Sequence, residues 1–393
     1  MARQAIFERS LDVYGYELLF RAGPEAFFAH EDQDEASSRV IEESLMVFGL
    51  ETLASSRRIF VNATRRVVLE ELYRVLPPER SVIELLETVE PDEAIVAACR
   101  ALKDAGYLLA LDDFVYAPAY DPLLDLADIV KIDFRATSVE ERHTLADLVR
   151  RRGPKLLAEK VETPLEFTEA VHEGFDYLQG HFFCRAKIIT AKDIPAFKLH
   201  SLAVLREMHK SDLDFDALAQ TIEREVSLTV KLLRYLNSAS FGWRTPVETV
   251  RQALFILGEQ PFRRWATVVL LAGLGSDQPA ELSVESLMRA RFASQLGDEL
   301  RLGNTGCDLF LAGLLSLLDA FTGLPLADAL RPLGLSEEME RALLGSDNPA
   351  ANVLELVVAY ERAQWGRVGV LAEALGADES RLPQHYQDAV TWA

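Results

Sequence analysis

From the first residue to about Arg185, short apolar or β-branched runs alternate with stretches in which apolar residues recur at helical spacing. That alternation predicts an α/β fold with a parallel sheet. The strand-like runs are Ile59-Phe60-Val61, Ser81-Val82-Ile83, Leu108 to Leu111, Ile129 to Ile132, Lys155 to Ala158 and Tyr177-Leu178. Between them, Glu93 to Asp104 sets Ile95, Ala98, Cys99 and Leu102 on one helical face, with Gly106 as the stop. Such units build either an open doubly wound sheet or a closed barrel. The residues that follow each strand separate the two. Asn62, Glu84, Asp112 with Asp113, Asp133, Glu159 and Gln179 are all polar. A TIM-like (β/α)8 barrel gathers those ends at one mouth, where active sites are built, whereas an open sheet strings them along an edge. No GxGxxG or Walker loop follows the first strand, so a dinucleotide or P-loop fold lacks its main support.

Beyond Pro195 the pattern is helical throughout. Phe215, Leu218 and Ile222 share one face, and Ser227 is placed to cap a helix through Val230, Leu233 and Leu236. Thr245-Pro246-Val247-Glu248 reads as a capping box opening a helix to Gly258, and Ser283 to Leu300 and Asp308 to Ala320 extend the bundle. The expected division is therefore a barrel domain over 1–196 and an all-α domain over 197–393.

Size and charge narrow the function. A chain of 393 residues exceeds one ordinary core. Its 62 acidic against 41 basic residues give a net charge of −21, which repels phosphate backbones and anionic lipid, so neither nucleic acid nor membrane is expected as a partner. Three widely spaced cysteines, Cys99, Cys184 and Cys307, read as thiols in a reducing compartment. No signal-like start is present, and the most apolar run, Trp265 to Leu274, is about half a membrane span. The expected location is the cytoplasm.

Several carboxylates at one mouth repel one another unless a cation sits among them. Hard oxygen donors with an Asn carbonyl suit Mg²⁺ or Mn²⁺ rather than zinc. Two such ions about 4 Å apart can activate water and stabilise the leaving oxygen of a phosphodiester. A single Asp or Glu after a strand is as often a helix N-cap, so the weight rests on the set.

The local text is more specific. Tyr14-Gly15-Tyr16-Glu17-Leu18-Leu19-Phe20-Arg21, Phe60-Val61-Asn62, Glu84-Leu85-Leu86-Glu87, Leu111-Asp112-Asp113-Phe114, Lys131-Ile132-Asp133, Ala158-Glu159-Lys160-Val161-Glu162-Thr163 and Gln179-Gly180 follow in order. Together they resemble the EAL family of cyclic-di-GMP phosphodiesterases. The resemblance implies metal ligation by Glu17, Asn62, Glu84, Asp112 and Glu159, with Asp113 on a second metal. It also implies that Lys131 positions the catalytic water alongside Glu159, that Arg21 grips a substrate phosphate, and that Gln179 completes the polar shell. The bland alternative for Lys131 is an internal salt bridge with Asp133 or Glu159. Glu87 and Glu162 are expected to hold loops.

Two departures stand out. Active members carry a Gly-Thr-Gly-Tyr-Ser-Ser-Leu loop that supports the second metal and the dimer contact, where this chain has Val115-Tyr116-Ala117-Pro118-Ala119-Tyr120-Asp121. Valine and alanine lack glycine's access to positive φ, and Pro118 removes a donor. Lys160 stands in place of the family's glycine and adds a cation near Glu159.

In the second half, Leu232 to Gly242 followed by Phe255-Ile256-Leu257-Gly258 resembles the HDOD core, related to metal-dependent HD phosphohydrolases. Ser316 and Leu317 occupy the positions of the His-Asp ligand pair. Neither can hold such a metal, so a non-catalytic module contacting signalling proteins is implied. His200 and His209 are expected to be packed or solvated, and Asn237 and Ser238 either end a helix or meet a partner. The overall expectation is a signal transduction protein whose degenerate EAL domain binds cyclic-di-GMP with weak or absent hydrolysis, homodimerisation being left open. The alternative is an active phosphodiesterase producing linear pGpG under HDOD control.

Overall fold

A computed structural model describes residues 1–19, 54, 56–185, 196–209, 219, 222, 226–238, 247–302, 307–346 and 348–393. Eight strands close into a barrel in sequence order. They are β1 (Ala2–Glu8), β2 (Val13–Leu19), β3 (Arg58–Ala63), β4 (Ser81–Leu85), β5 (Leu108–Leu111), β6 (Ile129–Asp133), β7 (Lys155–Glu159) and β8 (Tyr177–Gln179). The expected barrel is present, with one correction to a uniformly parallel wall. β1 runs antiparallel to both β2 and β8, while the pairs from β2 to β8 are parallel. The cause is the short turn from Glu8 to Val13, where Leu11 has φ +70° and its N–H donates to the Glu8 carbonyl at 2.9 Å. So tight a connection can join only antiparallel neighbours.

Period-2 alternation builds the interior in layers. Ile6, Phe60, Val82, Ala110, Ile129 and Leu157 form one buried apolar layer across the barrel. Two residues nearer the mouth stand Gln4, Asn62, Glu84, Lys131 and Glu159 on the same strands and Asp112 immediately after β5. The polar ring thus shares its side-chain direction with an apolar floor directly beneath it. On β2 the floor position is Gly15, where an added Cβ would lie 2.8 Å from the Arg58 carbonyl oxygen and 3.0 Å from the Phe60 ring. Glycine there lets Phe60 fill the floor.

Outer helices cover the strands. Glu93–Asp104 is capped by Asp92, whose side chain accepts from Ile95 N at 2.9 Å, and buries Ile95, Cys99 and Leu102. Val139–Arg152 and Pro164–His172 each open with a full capping box, Ser138 with Glu141 and Thr163 with Glu166. The compact unit containing the barrel comprises Met1–Arg185 and Leu356–Trp392. Within it the Tyr386 hydroxyl accepts from Arg3 N at 3.2 Å.

The second unit spans Ala186–Glu355. Its helices include Ala196–Met208, Val226–Leu236, Val250–Leu257, Glu259–Leu274, Ala280–Glu299, Leu309–Leu315 and Leu318–Thr322. The cap expected at Thr245 lies outside the described residues. The helix there begins later, at Val250, with Thr249 accepting from Gln252 N at 3.1 Å. The helix expected over Asp308 to Ala320 is broken at Ser316 and Leu317. Gly313 in the first piece lies so close to Ala280–Glu299 that a Cβ would meet the Arg289 carbonyl oxygen at 2.6 Å. No helix among the described residues is long and apolar enough to cross a membrane.

Candidate active site

At the centre of the polar ring lies the fully buried Lys131. Its Nζ is 2.7 Å from Asp112 Oδ1, 2.8 Å from Glu84 Oε1, 2.8 Å from Glu159 Oε1 and 3.3 Å from Glu17 Oε2. Strand register explains the convergence, since Asn62 pairs with Glu84, Gln4 with Glu17, and Asp133 with Glu159. Glu17 is tied further. Asn62 Nδ2 donates to its Oε1 at 3.1 Å and Gln179 Nε2 to its Oε2 at 2.6 Å. Gln179 Nε2 also donates to Gln4 Oε1 at 2.9 Å. Gln4 is a residue the sequence reading missed, because its strand went unrecognised; its place two residues from Ile6 was the available signal.

Four carboxylates around one ammonium leave a surplus of negative charge in a dry site. Burial pushes Glu84 well above the usual carboxylate range, aided by the neighbouring Glu17 charge and opposed by Lys131. Burial likewise pushes Glu159 up to about 8, against the pull of Lys131. Burial alone would lower Lys131, but Asp112, Glu159, Glu17 and Glu84 outweigh it and hold the ammonium well above the ordinary lysine value. Lys131 therefore stays charged and is no general base. Its three N–H donors face four carboxylate oxygens, so all are engaged in this arrangement. The internal salt bridge weighed for Lys131 includes Glu159 but not Asp133.

Among the described residues, no group of His, Cys, Asp or Glu converges on a common point as a preformed metal cage. The carboxylates converge on Lys131 instead. The donor set nevertheless fits a hard cation. Asn62 Oδ1, Glu84 Oε2, Glu159 Oε2 and Gln179 Oε1 are buried without a hydrogen-bond partner, and unpaired buried oxygens beside excess anionic charge are what Mg²⁺ or Mn²⁺ would satisfy.

The rim differs from the centre. Asp133 Oδ1 accepts from Arg135 N at 2.8 Å and Ala136 N at 2.9 Å, while its Oδ2 pairs with Lys160. Asp113 Oδ1 lies 3.5 Å from the same Lys160 Nζ. The cation expected beside Glu159 thus bridges Asp133 and Asp113. In the loop after β5, Pro118–Tyr120 forms a 3₁₀ turn, the Tyr120 ring packs edge-on against Phe114 at 5.9 Å, and Val115 is 77% exposed. A cleft of about 690 Å³ opens here, lined by residues including Asp113, Val115, Tyr116, Asp133 and Thr137. Glu162 is held by His181 and Arg185, each at 3.5 Å, as expected of a loop-holding residue. Arg21 lies outside the described residues.

In the helical unit Leu317 is buried, and Ser316 Oγ donates to the Gly313 carbonyl at 2.7 Å. Asn237 spends its amide on Val247, donating to its carbonyl at 2.8 Å and accepting from its N–H at 2.7 Å. His209 is buried beside Thr267 Oγ1 at 3.3 Å, and burial, aided by Arg263, pushes it down to about 4. The side chain of His200 lies outside the described residues.

Comparison with known proteins follows the same division. The EAL domain family model matches residues 54–186 and the HDOD domain model residues 194–343. The whole chain is 33% identical over 399 residues to the cyclic di-GMP phosphodiesterase CdgJ of Vibrio cholerae serotype O1, covering 92% of that protein. It is 32% identical over 400 residues to the uncharacterized protein YuxH of Bacillus subtilis, covering 97% of it. Among solved structures, a Klebsiella pneumoniae BlrP1 complex with calcium and cyclic-di-GMP is 26% identical over 47% of this chain and 54% of that one, with a TM-score of 0.39.

Proposed function

Because the chain belongs to the family in which an EAL domain is followed by an HDOD domain, we propose that its barrel is a metal-dependent cyclic-di-GMP site that binds the dinucleotide and hydrolyses it slowly at most, coupled to a helical module that acts on other proteins. The observation that carries this reading is the ring of Glu17, Asn62, Glu84, Asp112, Glu159 and Gln179 around Lys131, with four buried oxygens left unpaired. Glu17, Asn62, Glu84, Asp112 and Glu159 are the residues to hold Mg²⁺ or Mn²⁺. When bound, the cation supplies charge neutralisation and Lewis-acid polarisation of a phosphodiester oxygen. Gln179 orients Glu17. Lys131, held as an ammonium by these neighbours, orients Glu84, Asp112 and Glu159, and would have an N–H to offer a water if those carboxylates held a cation. Arg21 is proposed to meet a phosphate of the dinucleotide.

Slow turnover follows from the rim. Asp113 is engaged by Lys160, and the loop after β5 lacks the glycines of active relatives. For the helical module, support comes from the buried Leu317 and hydrogen-bonded Ser316 at the ligand positions, and from Phe255, which is 90% exposed on its helix.

The second reading is an efficient phosphodiesterase, favoured by the complete inner ring and by the named activity of CdgJ. Thermal unfolding of the full chain tests the binding reading, since a ligand that binds only the native state raises Tm. Cyclic-di-GMP should raise Tm with Mn²⁺ present, less so in EDTA, and not in Glu17→Ala. No shift with Mn²⁺ in the wild type would reject it.

A further inference from the structure

We propose that Lys160 is a tethered cation standing where a second divalent ion would otherwise sit between Asp113 and Asp133, so that the barrel mouth of this chain takes one divalent ion and not two. The inference rests on the metal-dependent reading above and adds its stoichiometry.

The carboxylates at the mouth fall into two groups with different charge balance. The inner four share one ammonium, and Glu84 Oε2 and Glu159 Oε2 lack a hydrogen-bond partner. The outer two, Asp113 and Asp133, already share Lys160. Asp133 has one oxygen committed to two backbone N–H groups and the other to the ammonium, so a metal must displace Lys160 to reach it. The ammonium is well placed to resist. Its Nζ pairs with Asp133 Oδ2 and lies 3.5 Å from Asp113 Oδ1, so it already spans the two carboxylates.

Backbone geometry shows that this position is imposed by its surroundings. Lys160 has φ +55°, a left-handed conformation unfavourable for a lysine. It is fixed from both sides, since Phe134 N donates to the Glu159 carbonyl at 3.1 Å and Val161 N donates to the Gln179 carbonyl at 3.0 Å. Asp113 also has positive φ, at +38°. The rim thus holds a strained lysine and a strained aspartate facing each other, an arrangement that persists only where neighbouring structure over-determines it. Removing the side chain while keeping the backbone conformation is straightforward, because glycine adopts this φ without cost.

The test is the number of Mn²⁺ ions bound per full-length chain, measured by equilibrium dialysis and by electron paramagnetic resonance. The wild type should bind one. Lys160→Gly should bind one more than the wild type, with broadening from coupling between paired ions, and Asp113→Asn in that background should return the number to the wild-type value. An increment in Lys160→Gly supports the proposal. No increment, or two ions already in the wild type, overturns it. Lys160→Met, neutral but similar in bulk, should also show the increment, which separates the effect of charge from relief of backbone strain. The underlying reading is tested separately by Glu84→Gln, which should lose the wild-type ion. If Glu84→Gln leaves that ion in place while Lys160→Gly still gains one, the metal assignment of the inner ring fails and the role of Lys160 stands.

Discussion

Lys131 is the residue on which the inner site turns, because its charge is what allows four carboxylates to share a buried volume. Removing one partner of a buried ionic cluster leaves uncompensated charge and costs about 3–5 kcal/mol. Lys131→Met should therefore lower the unfolding free energy of the metal-free protein by an amount in that range, read out as a lower urea midpoint, and Mn²⁺ should recover much of it by replacing one cation with another. Equal midpoints for wild type and variant in EDTA would contradict this. The pH dependence follows from Glu159, whose folded pKa of about 8 exceeds its ordinary value. Between the unfolded carboxylate pKa, about 4.3, and about 8, the native state binds more protons than the unfolded one. The metal-free protein therefore loses stability as pH rises through that window, by at most about 1.4 kcal/mol per pH unit from this group. Mn²⁺ binding must then expel protons at neutral pH and tighten as pH rises towards 8. Calorimetry in buffers of differing ionisation heat should show that release, and a heat independent of buffer would count against it. At this scale the gathering of Asn62, Glu84, Asp112 and Glu159 at one mouth was legible because each stands at the end of a strand readable in the sequence, whereas Glu17 was legible only from its motif text. Their partners were not. Lys160's bridge to Asp133 depends on a left-handed backbone set by β6 and β8, which no local pattern records.

At the scale of elements, the barrel's layers show why the reading from strand ends worked. A polar residue two places beyond a buried apolar one on the same strand must face the same way, so Phe60 and Asn62, Val82 and Glu84, Ile129 and Lys131, and Leu157 and Glu159 are each predictable as pairs. The reading failed at β1 and β2. Ala2–Glu8 mixes charged and apolar positions, and its hairpin turn carries no Asn-Gly or Asp-Gly signal. In the helical unit the helix begins at Val250 with Thr249 as its cap, one of several nearby threonines and prolines that sequence cannot rank. The junction of β7 and β8 offers a sharp test. Gly180 has φ +147°, and a Cβ there would lie 1.9 Å from the Val161 carbonyl oxygen. Gly180→Ala should destabilise by about 3 kcal/mol or more, since left-handed strain and a backbone clash add. Chemical denaturation should show a lowered midpoint with little change in slope, and loss of the Gln179 contact to Glu17 should weaken Mn²⁺ binding in parallel. A variant as stable as the wild type would mean that this turn is free to open.

At the scale of the whole molecule, a net charge of −21 and an inner site with surplus negative charge both oppose a dianionic ligand. In the proposed function a bound divalent cation reverses the local sign, so dinucleotide binding should depend on metal binding. The composition announced the global charge, and the motif order announced the two domains. Neither showed that Leu356–Trp392 groups with the barrel, because that grouping arises from tertiary contacts near the end of the chain. The proposed function is a metal-dependent dinucleotide site in which binding outlasts turnover, and a thousandfold loss of rate needs only about 4 kcal/mol of barrier. Its most direct test is calorimetry of the full-length protein with cyclic-di-GMP in Mn²⁺ and in EDTA, with the recovered nucleotide analysed by chromatography. The predicted result is binding that requires Mn²⁺, with most of the dinucleotide recovered intact after many minutes. Absence of binding in Mn²⁺, or complete conversion to the linear product at a rate near ~10 per second, would contradict it.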